Sequence, residues 1–289
     1  MFFKKVFTKV PINWLRNAAT AAEIEPLLDI NCKTAVITGG TGGIGYATAN
    51  HLLCNGVKHV ALIGLNSYKG AQAVENLNCV HGQGRSHFVT CDVRDRRALS
   101  NTINSLKKDY ENLDIFVNSA GYWNDSDWCQ ELNTNLNGTI NVNLEIAAAL
   151  CKSNAVVVNL TGNFGLEPFP PSPIFAAANS AIVEFTRSFG HKTNSDKFGL
   201  RVVALCTGIT KTDFVKSLDK KMLTAEMGQD LNEFLKMTPT QNADSCAKAV
   251  IDVIRYAKNG SVWIVEDSKL FAAKLVDWRG QSVVISYYN

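Results

Sequence analysis

Between Thr34 and Cys54 the sequence passes from a short apolar run, TAVIT, straight into Gly39-Gly40-Thr41-Gly42-Gly43-Ile44-Gly45 and then into a segment of helical period. No other feature restricts the fold as much. Glycine permits the tight turn and lets another chain or a ligand approach the backbone closely. The helix start that follows offers unpaired N–H groups and a partial positive charge, which together suit a phosphate. A tight turn with no ligand is the alternative reading of the string alone. Strand, glycine turn and helix in this order favour the phosphate site.

The rest of the chain repeats the pattern. Val- and Ile-rich runs fall at 34–38, 59–63, 86–91, 114–118, 155–160, 200–206 and 261–265, with helical segments expected at 44–54, 70–78, 95–109, 127–151, 173–189 and 242–257. Alternating strands and helices predict an α/β fold: one doubly wound Rossmann domain with a parallel sheet of about seven strands. The runs are apolar at consecutive positions, so helices should cover both faces. We expect this domain over residues 32–266, after an N-terminal basic amphipathic arm, 1–31, and before a C-terminal tail, 267–289. Two stretches read as irregular, 163–173 with its prolines and 208–240. Both follow strand C-termini, the edge where open α/β sheets bind ligands.

Composition narrows the function. A formal net charge of +3 and the absence of a basic block with interleaved aromatics argue against nucleic acid as a partner. The eight cysteines form no C-x-x-C pair, and the five histidines lack metal-ligand spacing, so we expect reduced thiols and no metal. No run of about 18 apolar residues predicts a transmembrane segment. Residues 1–22 carry Lys4, Lys5, Lys9 and Arg16 with no acid among Phe2, Phe3, Phe7 and Trp14. Such a run is read as a docked arm, with mitochondrial targeting or a membrane-surface role as alternatives to a cytoplasmic protein.

The spacing T-G-x-x-x-G-x-G resembles the short-chain dehydrogenase/reductase family. Other landmarks of that family follow in order: Asp92-Val93 after the third strand, Asn118-Ser119-Ala120-Gly121 after the fourth, Asn135 in TNLNG, and Thr207-Gly208 through Thr212 after the sixth. AKAVIDVIRYAKNGSVWIVEDSKLF and Trp278 are similar to the insect alcohol dehydrogenase and photoreceptor-dehydrogenase branch. The resemblance implies NAD or NADP as cofactor. Its site would comprise Thr38, Gly39, Gly43, Ile44, Gly45, Asp92, Val93, Asn118, Ala120, Gly121 and Thr212, with Asn135 supporting a catalytic water. It also implies a homodimer, or a heterodimer with a paralogue, through helices at 127–151 and 173–189.

Against this pattern four positions differ. The family's catalytic Ser, Tyr and Lys positions correspond to Gly162, Phe175 and Asn179. The second strand ends in Ile63-Gly64-Leu65-Asn66, so Gly64 stands where an acid would hold the adenosine ribose. Losing that charge-assisted hydrogen bond weakens the cofactor by about 10- to 100-fold, and Asn66 or Ser67 would substitute only in part. Phe cannot exchange a proton and Asn carries no charge, so a catalytically degenerate NAD(P)-site protein with a binding, sensing or pairing role is expected. Two alternatives stand beside it. One is an oxidoreductase interconverting an alcohol and a carbonyl with Tyr122 or water as proton donor, Asp125 and Asp127 lying nearby. The other is a carrier of a small apolar ligand rimmed by Phe164, Phe169 and Phe175. Cys206 reads as a buried thiol, and Thr161 would need a shifted backbone to replace the Ser.

Overall fold

The computed structural model describes residues 10–11, 25–151 and 153–275. Most of the arm, and Trp278 in the tail, therefore lie outside the described residues. The elements in chain order are β1 (Val10–Pro11), β2 (Thr34–Thr38), α1 (Gly43–Cys54), β3 (His59–Gly64), α2 (Ser67–His81), β4 (Ser86–Thr90), α3 (Arg96–Asp109), β5 (Ile115–Asn118), α4 (Trp128–Leu132), α5 (Gly138–Ala149), β6 (Val156–Gly162), α6 (Pro173–Phe189), α7 (Lys192–Phe198), β7 (Arg201–Thr207), α8 (Ala225–Met237), α9 (Ala243–Tyr256), β8 (Val262–Glu266) and β9 (Lys269–Ala272).

The strands form one sheet in the order β1-β9-β8-β7-β6-β5-β2-β3-β4. The seven expected strands are all present and parallel to one another. Two short antiparallel strands, β9 on β8 and β1 on β9, extend the sheet beyond them. Strand order reverses between β2 and β5, which leaves a crevice at their C-terminal ends.

Helices cover both faces, as the unbroken apolar strands require. On one side α1, α2 and α9 bury Leu52, Leu53, Leu77, Val250 and Ile254 against the sheet. On the other, α3 and α5 bury Leu99, Ile103, Leu106, Val142 and Ile146. Arg201, itself partly buried, closes the C-terminus of α9 by donating to the carbonyls of Ala257 at 2.8 Å and Ile254 at 2.5 Å.

Three local readings are corrected. Helix α2 begins at Ser67 rather than 70, because the Asn66 side chain accepts from the Lys69 backbone N–H at 2.9 Å and caps it. The stretch 208–240 is not wholly irregular: α8 forms there, capped by the Thr224 hydroxyl on Met227 N and anchored by fully buried Leu231. The helix expected over 127–151 is broken into α4 and α5 by a π-helical turn, Asn133–Asn137, that contains Asn135. Such turns concentrate at functional sites.

Candidate active site

The crevice at the strand reversal opens into a cleft of about 780 Å³. Its floor is the glycine turn. Gly39 has φ of +65°, and a Cβ there would lie 2.7 Å from the Ser119 carbonyl; at Gly45 it would lie 2.5 Å from the Gly39 carbonyl. Neither position admits a side chain. Thr38 Oγ1 accepts from Ser119 N at 3.2 Å and Ala120 N at 3.3 Å, tying the exit of β2 to that of β5. At the start of α1, Gly42 supplies no side-chain cap and faces open space. The first-turn N–H groups are thus without a side-chain acceptor, and the turn fits a pyrophosphate.

Of the residues singled out from the sequence, Gly39, Gly43, Ile44, Ala120, Gly121, Thr212 and Asn135 line the cleft. Thr38, Gly45 and Asn118 stand behind its wall, Asn118 donating to Asn159 Oδ1 at 2.7 Å within the core. Asp92 and Val93 are not among the lining residues. The Asp92 carboxylate is engaged by Arg94, with Nη2 at 2.7 Å and Nε at 3.0 Å, which holds it below the usual carboxylate range. Val93 packs on Gly138, where a Cβ would fall 2.7 Å from Val93 Cγ2. At Gly64 a Cβ would meet Phe88 at 3.4 Å and Thr41 at 3.5 Å, ordinary contacts, so glycine is not sterically required there.

Four polar residues on this wall escaped the sequence reading: Tyr46 of α1 and Lys69, Gln72 and Asn76 of α2. The signal was the i, i+3, i+7 spacing of the last three, which puts them on one helix face. Which face points at the cleft is set by packing.

At the other end the substituted positions are bound up in the protein itself. The Asn179 side-chain oxygen accepts from Thr161 Oγ1 and from Gly162 N, both at 2.6 Å, and its Nδ2 donates to the Phe175 carbonyl at 2.6 Å. The buried amide thus ties the end of β6 to α6, and the Thr161 hydroxyl is committed to it. Phe175 stacks on Trp123 with ring centroids 4.1 Å apart and planes 9° from parallel. A Cβ at Gly162 would approach Phe164 to 3.2 Å. Asn135 accepts from Tyr122 N through Oδ1 and donates to Tyr122 O through Nδ2, each at 2.7 Å. Its side chain pins the loop after β5. The Tyr122 hydroxyl bonds to Asn124 at 2.9 Å and Asp127 at 3.4 Å and does not line the cleft.

Two fully buried carboxyls lie behind Trp123. Asp125 accepts from Ser172 Oγ and from Ile174 N, the latter at 3.0 Å, so it caps α6; Ser172 in turn receives the Trp123 indole N–H at 2.8 Å. Burial raises the Asp125 pKa despite these bonds. Glu131 accepts from Asn124 N at 2.5 Å while its other oxygen has no partner; burial, with Asp125 and Asp127 nearby, pushes it up to about 8. Cys206 is fully buried and its thiol is pushed up to about 12, which makes it inert as a nucleophile. Phe164 and Phe175 line the cleft as expected, but Phe169 lies beneath them, 4.2 Å from Phe164 and 5.0 Å from Phe234. Phe214, at 6.0 Å from Trp123, joins the aromatic wall instead.

The arrangement can cradle a phosphate beside an aromatic wall, and Gly162, Phe175 and Asn179 place neither a hydroxyl nor a cation in the cleft. Comparison with known proteins bears out the fold. The 15-hydroxyprostaglandin dehydrogenase (NAD+) of Rattus norvegicus is 29% identical over 250 residues, covering 85% of this chain and 91% of the relative. The Homo sapiens protein of that name is 30% identical over 253 residues, covering 84% and 94%. Alcohol dehydrogenase 1 of Ceratitis capitata, an insect enzyme of the kind the C-terminal motif resembled, is 25% identical over 246 residues, covering 84% and 95%. Among solved structures, levodione reductase superposes with a TM-score of 0.72 at 20% identity, covering 82% of this chain and 97% of its own, which establishes the fold. A family model described as short chain dehydrogenase matches residues 33–223, and the chain belongs to that family.

Proposed function

We propose that this protein is a nicotinamide-dinucleotide-binding member of the family that has lost its proton-transfer groups and acts by binding, as a sensor or as a partner subunit. One observation carries the proposal: a neutral Asn179 amide, held by Thr161, Gly162 and Phe175, stands where the resemblance implies a cation. In the position where the resemblance implies a lysine, this side chain carries no charge, and its oxygen is shared between the Thr161 hydroxyl and the Gly162 N–H. The glycine turn, with Ala120, Gly121 and Thr212, would hold the dinucleotide, whose chemistry when bound is hydride transfer. This chain's own residues bind and orient; none at positions 162, 175 or 179 moves a proton.

Calorimetric titration with NAD(H) and NADP(H), together with a turnover assay on secondary alcohols, tests the reading. Binding without turnover is the expected result, with affinity lowered by the absence of a ribose acid at Gly64. Oxidation at rates near those of an intact relative would refute it. The aromatic wall of Trp123, Phe164, Phe175 and Phe214 supports a second reading, carriage of a small apolar molecule. Mass spectrometry of the purified protein would detect such a passenger.

The exposed Trp128 on α4 supports pairing through the helices at 127–151 and 173–189, as a homodimer or with a paralogue. Sedimentation of the purified chain separates the cases. Among the described residues no helix is long and apolar enough to cross a membrane. We assign the protein to the cytoplasm as part of the same reading. Identical distributions of the tagged full chain and a form lacking residues 1–28 would support this and exclude mitochondrial targeting by the arm.

A further inference from the structure

The cleft has two unlike ends. Toward α1 and α2 it is polar, lined by Tyr46, Lys69, Gln72 and Asn76; toward β6 and α6 it is aromatic, lined by Trp123, Phe164, Phe175 and Phe214. Thr212 and Phe214 approach two glycines that line the cleft, Gly43 and Gly121. Thr212 Cγ2 lies 3.4 Å from where a Cβ on Gly43 would stand, and the Phe214 ring lies 3.4 Å from the corresponding position on Gly121.

Phe214 comes from the 3-10 turn Asp213–Val215 and is 38% exposed. Its ring stands 6.0 Å from Trp123 and 6.1 Å from Phe175, tilted by 42° and 49°. Trp123 and Phe175 are stacked on each other and buried, so of the three rings Phe214 is the one with an exposed face. The charged residues lining the cleft are Lys69, at the polar end, and Asp213, next to Phe214. The Asp213 carboxylate is kept ionised by Lys216, which is not a lining residue. Position 179, at the aromatic end, carries a neutral amide. Aromatic faces attract cations through their quadrupole, and among the described residues the one cation that lines the cleft, Lys69, comes from α2.

A dinucleotide with its pyrophosphate on the glycine turn extends one base to either side. We infer that the aromatic end is a site for a planar pyridinium-type cation, so that the cleft retains the oxidised, positively charged nicotinamide in preference to the reduced, neutral one. The inference rests on the dinucleotide-binding reading and gives its sensing role a direction: occupancy follows the oxidised share of the cofactor pool.

The test is calorimetric titration of the full-length protein with NAD+ and NADH, with NADP+ and NADPH, and separately with N-methylnicotinamide cation and neutral nicotinamide. The oxidised dinucleotide should bind about 2- to 30-fold more tightly than the reduced one, the range expected from cation–π attraction. Phe214→Leu, checked for native circular dichroism, should remove much of that ratio by weakening the oxidised form alone. Asn179→Lys, which adds a like charge, should lower the ratio further. Equal binding of the two redox states, or tighter binding of the reduced one, overturns the inference and leaves the dinucleotide reading intact. If no dinucleotide binds, that reading fails, and the free rings decide the inference. Preference for N-methylnicotinamide over nicotinamide then upholds the cation site, and its absence overturns it.

Discussion

Replacing Glu131 by Gln should make the protein more stable at neutral and alkaline pH while leaving its acid-side stability nearly unchanged. Glu131 is fully buried, accepts one backbone hydrogen bond from Asn124 N at 2.5 Å, and has an oxygen with no partner. Burial raises its pKa from 4.5 to about 8, and the carboxylates of Asp125 and Asp127 push the same way. For a group whose folded pKa is raised, the favourable contribution is fully present below the unfolded pKa and is lost as pH rises through the folded one. The relevant window therefore runs from about pH 4.5 to about pH 8.

Taken in full, that gap corresponds to roughly 5 kcal/mol, of which roughly 3 kcal/mol is already lost at neutral pH. Gln keeps the acceptor for Asn124 N, matches the shape and does not ionise. Urea denaturation of both proteins at intervals across this range would show the wild type losing stability with rising pH and Glu131→Gln losing much less. Asp125, whose pKa is also raised, remains in both proteins and contributes a common slope. Parallel stability curves would refute the reasoning, since they would mean that Glu131 is charged in the folded protein at no cost.

Gly64→Asp should tighten NAD binding by about 10-fold or more, because a Cβ there makes only ordinary contacts with Phe88 and Thr41 and a carboxylate restores an acceptor for the ribose hydroxyls; calorimetry reads the change. Gly45→Ala forces a Cβ to 2.5 Å from the Gly39 carbonyl, so it should cost about 1–3 kcal/mol in denaturant unfolding and abolish measurable nucleotide binding. Asn179→Ala leaves Gly162 N and the Thr161 hydroxyl without their acceptor and should cost about 2–4 kcal/mol. A loss below about 0.5 kcal/mol would contradict the staple assigned to it.

The seven parallel strands were legible because each is a short Val- and Ile-rich run bounded by turn residues, and the nucleotide turn because Gly39 to Gly45 are contiguous in the chain. Local spacing reports local geometry, and both features are local. The substituted positions were equally visible as letters, since Phe175 and Asn179 sit one helical turn apart within a recognisable segment. Their consequence was not visible. That Asn179 spends its amide on Thr161, 18 residues away, depends on how β6 and α6 are packed together. The same holds for Lys69, Gln72 and Asn76, whose helical spacing says that they share a face but not which neighbour that face meets. The sequence by itself determined a doubly wound sheet whose first long strand runs through a glycine turn into a helix, with Gly162, Phe175 and Asn179 where the resemblance implies Ser, Tyr and Lys. Only the tertiary structure decided that the cleft is polar at one end and aromatic at the other, because burial, side-chain pairing and the approach of distant loops follow from packing across the sheet and not from neighbours along the chain.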